Sequence, residues 1–320
     1  MNTRSLGLSF IRHNSTSCAT KFIPLTENYK TLRHIHFPGI TPFQTGQDIQ
    51  ADMVNANIHF KKLESKIIKQ QREAWTKGLT LSDYEDQFLK KILDMKPLPT
   101  LLTFEFENVY TGGKKMKQDP NLPERIKEFE KLGCRYFQLE RGGETTWHGK
   151  GQLVAYLILD LKKFENLTVR CFVDSVLLRS VQETLKHKYG LSETFTNSNP
   201  GVWMSQDDLK ISSVGCNIQR GISSYGIGLN IAPDLKYLNT FTMCGLSGTT
   251  ATSVHEILPD LEQKELNIKD VAFEYAKQVS KRLNITSLEH MDGEDLIKSM
   301  QGQNESETET EPGSESNSTV

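Results

Sequence analysis

The 320-residue chain contains no apolar run approaching the ~18–20 residues that a membrane span requires. It also has no Cys-x-x-Cys pair and no His/Cys cluster at zinc spacing. Its five cysteines, Cys18, Cys134, Cys171, Cys216 and Cys244, are odd in number and irregularly spread. That pattern argues against a disulfide framework or structural zinc and for reduced thiols. Charge of one sign is missing at each end: no Asp or Glu precedes Glu27, and residues 301–320 carry five glutamates without a single base. Between the first and last twenty residues, 36 of the 38 Lys/Arg face 35 of the 40 Asp/Glu. Such a balance offers no clustered basic face for nucleic acid.

What is present at the ends then reads clearly. Residues 1–25 open with MNTRSLGLSFIRHNSTSCAT, hydroxyl-rich and basic through Arg4 and Arg12, with Leu6, Leu8, Phe10 and Ile11 interleaved. This is the composition of a mitochondrial transit peptide, since a secretory signal would have a continuous apolar centre. Residues 299–320 hold almost no large apolar side chain to offset the entropy of ordering, so a disordered acidic tail is expected there. Residues 26–298 remain for one catalytic domain, expected to be a monomer because its surface charges balance.

Within that domain the spacing predicts a short strand at Thr31–His36 and helices over Asp48–Ala74 and Leu79–Lys96. A strand at Thr100–Glu107 should turn at Thr111–Gly113, followed by an exposed basic stretch and a strand at Arg135–Leu139. Thr168–Lys188 carries Val173, Val176, Leu177, Val181 and Leu185 on one face, as an amphipathic helix does. Gly201–Met204, Leu209–Gln219 and Gly221–Ile231 read as a meander broken at Arg220–Gly221. A last helix covers Ile268–Leu283. The fold class is therefore α+β, with helices packed on a mixed, largely antiparallel sheet.

The densest chemistry lies in RGGETTWHGKGQ, Arg141–Gln152. Adjacent glycines let the backbone approach a ligand, and a fixed cation, two threonines, an imidazole and an amide surround them. The apolar run LVAYLILDL follows at once, so a polar loop feeds a core strand, as substrate-binding edges do. Among the thiols, Cys244 stands apart in the small, turn-forming setting FTMCGLSGTT, whereas Cys134, Cys171 and Cys216 read as core residues. A thiol with pKa ~8.5 needs help to act as a nucleophile near neutrality. A lysine ~4 Å away supplies roughly 4 kcal/mol of attraction at an effective dielectric of 20. Lys210, opening the strand LKISSVG, is the best placed to give it.

Three blocks, RGGETTWHGKGQ with LVAY, LKISSVG continuing to YGIGLN, and the Cys-Gly of MCGLSG, resemble the octanoyl (lipoyl) transferases of the LipB type. These belong to the biotin/lipoate protein ligase superfamily, and the likeness spans roughly residues 100–250. It implies a biotin/lipoate-ligase-like catalytic domain in which Cys244 carries an acyl-thioester and Lys210 activates it. Arg141, Gly142, Gly143, Glu144, Thr145, Thr146, Trp147 and His148 would line the acyl pocket. Ser213, Val214 and Gly215 would join them, with Gly226, Ile227 and Gly228. The donor would be octanoyl-acyl carrier protein. The acceptors would be lipoyl domains of 2-oxo-acid dehydrogenase complexes and the glycine-cleavage H protein. No cofactor, nucleotide or metal is called for, and the setting would be the mitochondrial matrix. The chain departs from the family where Lys150 and Met243 stand for proline, Trp147 for tyrosine and Tyr225 for histidine. Two rivals are an ATP-dependent lipoate–protein ligase, which would not need Cys244, and a non-catalytic binder of acylated carriers or lipoyl domains. The latter would need neither Lys210 nor Cys244.

Overall fold

A computed structural model describes residue 18 and residues 21–204, 209–240 and 250–298. The expected acidic tail, most of the leader and Cys244 lie outside the described residues. Along the chain, strand β1 (Thr31–Thr41) precedes the long helix α1 (Phe43–Thr76), and α2 (Asp83–Asp94) follows behind a Ser82–Glu85 capping box. Then come β2 (Thr100–Phe106), β3 (Val109–Gly112), α3 (Leu122–Lys131), β4 (Arg135–Gln138), β5 (Thr145–His148) and β6 (Gln152–Ile158). The amphipathic helix predicted from Thr168 is continuous but not uniform. It opens as α4 (Val169–Cys171), widens into a π-helical stretch at Phe172–Leu178 and closes as α5 (Arg179–Tyr189), stopped by Gly190 at φ 71°. The sheet region holds β7 (Thr194–Phe195), β8 (Val202–Met204), β9 (Leu209–Gln219) and β10 (Ile222–Asn230). Among the described residues, α6 (Lys236–Asn239), β11 (Thr250–Ala251), α7 (Val254–Ile257), α8 (Ile268–Arg282) and β12 (Ser287–Asp292) follow.

Nine strands form one sheet in the order β12-β1-β2-β6-β10-β9-β8-β7, with β11 added alongside β9. The pairings of β1 with β12 and β2, and of β11 with β9, are parallel, and all others are antiparallel. A small second sheet, β4-β3-β5, stands apart. The expected mixed, largely antiparallel α+β architecture is what the chain adopts. In the predicted meander, Arg220 (φ 54°) and Gly221 (φ 87°) form the two-residue link between β9 and β10. Positive φ at both residues is the signature of a hairpin turn that matches strand twist.

The central sheet is covered on both faces, and β6 shows why its run is so apolar. Leu153, Ala155 and Leu157 pack with α5 and α8 in the larger core, whereas Val154, Tyr156 and Ile158 pack with Phe43, Ile49 and Ile58 of α1. Two-residue periodicity thus serves two cores at once. Among the described residues no helix is long and apolar enough to cross a membrane.

Two expectations are corrected. Thr111–Gly113 is not a turn, because Thr111 and Gly112 lie inside β3, paired with β4 and β5. Cys18 and Cys171, expected as reduced thiols, form a disulfide with Cα atoms 5.4 Å apart. A sequence separation of 153 hid that proximity, which arises because the chain entering at residue 21 folds back onto the larger core. Phe22 is fully buried, and Leu25 N–H donates to Lys163 O at 2.9 Å.

Candidate functional site

A cavity of about 420 Å³ lies between the face of β9 and β10 and the loop joining β4 to β5. Of the fourteen expected lining residues, thirteen border it: Arg141 to Thr146, His148, Ser213 to Gly215 and Gly226 to Gly228. Trp147 does not. It alternates to the other side of β5, where it is buried and stacks on Tyr237 with centroids 5.3 Å apart. Lys210 also lines the cavity. Residues beyond those fourteen also line it, among them Tyr156, Cys216, Tyr225 and Asn230, together with Ser198–Pro200.

The glycine-hinged loop is held by its own arginine. Arg141 is buried, and one terminal nitrogen donates to Gly142 O and Glu144 O, both at 3.0 Å. The other donates to Thr111 O and Thr111 Oγ1, both at 2.8 Å. Its fork is spent on the backbone, so it shapes the cavity wall. Gly215 makes the geometry possible, because a Cβ there would lie 3.0 Å from Arg141 Cδ. Gly142 N–H donates to Cys216 O at 3.0 Å and ties the loop to β9. At the rim, Lys115 pairs with Glu144 at 3.2 Å, and Lys117 pairs with Glu140.

His148 begins a buried chain of polar groups. Its Nδ1 lies 2.7 Å from Gln152 Oε1, Gln152 Nε2 donates to Asn230 Oδ1 at 2.9 Å, and Asn230 Nδ2 donates to Thr252 O at 2.9 Å. In that arrangement Gln152 accepts, so His148 Nδ1 carries the proton and Nε2 is unprotonated. Burial holds the imidazole neutral, with its pKa pushed down to about 4. Gly228 fits beside this chain, since a Cβ there would lie 3.0 Å from Gln152 Oε1. Gln152 and Asn230 went unsingled as a pair because only the register of β6 on β10 brings them together.

Lys210 is 3% exposed, with its ammonium 5.0 Å from the centroid of the Trp203 ring. Its stem occupies space that Gly201 leaves open, at φ 144°. Thr252 N–H donates to Lys210 O at 3.0 Å, and Ala251 pairs with Lys210 in the β11–β9 ladder. Asn239 Oδ1 accepts from Ala251 N–H at 2.9 Å. The segment containing Cys244 therefore leaves the described structure after Thr240 and re-enters at Thr250, one residue from the partner of Lys210. Cys244 lies six positions before Thr250, a reach of at most ~20 Å. Cys216 is a different kind of thiol: it lines the cavity, but burial pushes its pKa up to about 11.

Comparison with known proteins supplies the chemistry this frame serves. Residues 79–279 match the lipoyl protein ligase A/B catalytic domain. The chain is 37% identical over 293 residues to the mitochondrial octanoyltransferase of Saccharomyces cerevisiae, covering 85% of this chain and 88% of that one. It is 33% identical over 211 residues to a probable octanoyltransferase of Schizosaccharomyces pombe, covering 65% and 91%. The lipoate-bound crystal structure of LipL1 from P. falciparum shares the fold, with a TM-score of 0.50 at 13% identity, over 81% of this chain and 66% of that one.

Proposed function

From the premise that the chain belongs to the lipoyl protein ligase A/B catalytic family, as one of its octanoyltransferases, we propose that it moves an octanoyl (or lipoyl) group from acyl carrier protein to a lipoyl-domain lysine through a thioester on Cys244. It is an acyltransferase. The acceptors are the lipoyl domains of 2-oxo-acid dehydrogenase complexes and the glycine-cleavage H protein. The protein works as a monomer in the mitochondrial matrix. Its yeast relatives named as mitochondrial support that setting, as does the acid-free leader.

The observation that carries the reading is the pairing of β11 with β9, which sets Ala251, seven positions beyond Cys244 in sequence, beside Lys210, a residue lining the cavity. A nearby ammonium favours thiolate over thiol. The thiolate attacks the carbonyl carbon of the carrier's thioester, and the bond from that carbon to the phosphopantetheine sulfur breaks. One thioester replaces another, so the exchange is close to isoenergetic and draws on no nucleotide. The neutral amine of the acceptor lysine then attacks the acyl-enzyme. An amide forms, a proton leaves the nitrogen, and the Cys244 thiolate departs. Splitting the transfer in two is the usual gain from a covalent intermediate, and the amide, more stable than the thioester, draws it forward. Lys210 also faces the carbonyl oxygen as negative charge develops there. The cavity beyond takes the hydrocarbon, each buried methylene stabilising binding by ~0.8 kcal/mol.

Incubation with octanoyl-carrier protein and no acceptor tests this directly. Mass spectrometry should find one octanoyl group on Cys244, removable by hydroxylamine, and none in Cys244→Ala. An adduct on Cys216, or transfer that survives in Cys244→Ala, would sink the covalent route. A requirement for ATP would transfer the case to a ligase.

A further inference from the structure

Tyr225 sits within β10 at φ 62°, a conformation that a bulky side chain rarely adopts. The ladder from β10 to β6 runs from Asn230 to Gly226, then skips to the single bridge at Ile222. In the gap, the backbone N–H of Tyr225 turns out of the sheet and donates to Gln50 Oε1, a side chain of α1 that is 3% exposed. One turn earlier on the same helix face, Gln47 Nε2 donates to the Tyr156 hydroxyl at 3.0 Å. The two tyrosine rings meet edge to face, 5.7 Å between centroids, and the Tyr225 hydroxyl reaches the backbone of Glu140. Tyr225 therefore spans from the sheet to the glycine-hinged loop. It lies opposite Cys216 in the register of β9, six residues along that strand from Lys210.

We infer that Tyr225 is the specificity-determining end wall of the acyl cavity, and that Gln50 is the positioning residue holding it in its left-handed conformation. The inference rests on the octanoyl-transfer reading above. Backbone strain persists where surrounding structure over-determines it, and here a helix supplies the over-determination. That helix precedes residue 79, where the match to the family's catalytic domain begins. The helix that holds the wall thus precedes the matched residues, whereas Tyr225 itself lies within them.

The test compares turnover of octanoyl- and dodecanoyl-carrier protein by the full-length protein. Tyr225→Gly removes the wall while suiting φ 62°, so it should fold. Its dodecanoyl-to-octanoyl ratio of kcat/KM should rise at least about tenfold, four more methylenes then finding room. Gln50→Met should raise the same ratio about threefold, and the double variant should not exceed Tyr225→Gly, because one residue acts through the other. A general loss of packing would lower both rates and leave their ratio in place. A ratio in Tyr225→Gly within about twofold of wild type overturns the end wall, and an unchanged ratio in Gln50→Met overturns the role of Gln50. Failure of the wild-type protein to turn over octanoyl-carrier protein would instead overturn the transfer reading and this inference with it.

Discussion

Gly201 and Lys210 compete for one volume: a Cβ at Gly201 would lie 2.5 Å from Lys210 Cε and 2.5 Å from Ser212 O. Because Gly201 also sits at φ 144°, Gly201→Ala meets both a strained backbone and a side chain that must move. The substitution should cost about 1–3 kcal/mol in stability and lower acylation of Cys244 at least about tenfold by displacing the ammonium. Thermal melts and single-turnover acylation check the two effects separately. Full acylation rate in a folded Gly201→Ala protein would show that the location of Lys210 is not critical.

Arg141→Ala should lose four hydrogen bonds that hold the loop, with a penalty of about 2–4 kcal/mol. Turnover should fall while some acylation of Cys244 survives, because the arginine shapes the loop and does not take part in bond exchange. Arg141→Lys should rescue little, since an ammonium cannot reproduce the planar fork. Urea unfolding combined with kcat/KM measures both, and a near-native Arg141→Ala would remove the loop-shaping role.

Acid should weaken the fold through the histidines on β1. His34 lies 2.8 Å from both His290 and Thr103 Oγ1, and His36 Nδ1 lies 3.1 Å from the same hydroxyl. Burial, chiefly, lowers His34 to about 3 and His36 to about 4. Unfolded, each would titrate near 6.5, so the unfolded chain binds protons first as the pH drops. Their contribution is therefore complete above pH ~6.5 and is lost below it, by roughly 2 kcal/mol per histidine at pH ~5. Urea midpoints at neutral pH and at pH ~5 should diverge for the wild type, and less so for a His34→Gln/His36→Gln variant. Equal divergence in the two proteins would rule out these residues as the source.

The start of the packed chain can be located by truncation. Phe22 is wholly buried, and Pro24 bridges to Phe164. A chain beginning at Thr26 should be less stable than one beginning at Lys21 by about 2 kcal/mol, the worth of one buried phenylalanine. Identical unfolding midpoints would place the domain boundary after residue 25. Separately, residues 1–30 fused to a reporter should direct it to mitochondria, and a cytosolic reporter would defeat the assignment of the leader.

Legibility in the sequence followed local pattern. β9 matches its expected bounds because its turn residues and β-branched run agree, and α8 was visible because Val271, Ala276, Val279 and Leu283 keep helical spacing. α3 was hidden, since Asn121-Leu122-Pro123 reads as a turn although proline suits a helix's first turn. β12 was hidden for the opposite reason: its side chains are mostly exposed, so it carries no apolar alternation. Much of the cavity lining lies in the glycine-hinged motif, but Trp147 does not line the cavity because neighbouring residues of the strand inside that motif point to opposite faces. Gln50, Gly201 and Asn230 act only through contacts made across the fold, which no local window contains.

The pairing of β1 with β12 joins Thr31 to Ser287 and His36 to Asp292, so the two ends of the domain lie side by side in one sheet. A chain that emerges from a ribosome or a translocation pore amino end first exposes β1 long before β12 exists. Until then one margin of β1 offers unpaired amides and carbonyls to any passing strand, the situation that invites aggregation. Closing so long a loop is also slow, because its entropy must be lost before the contact forms. Maturation of the enzyme thus ends with its last strand, and a chain stopped short of Ser287 would be a client for chaperones.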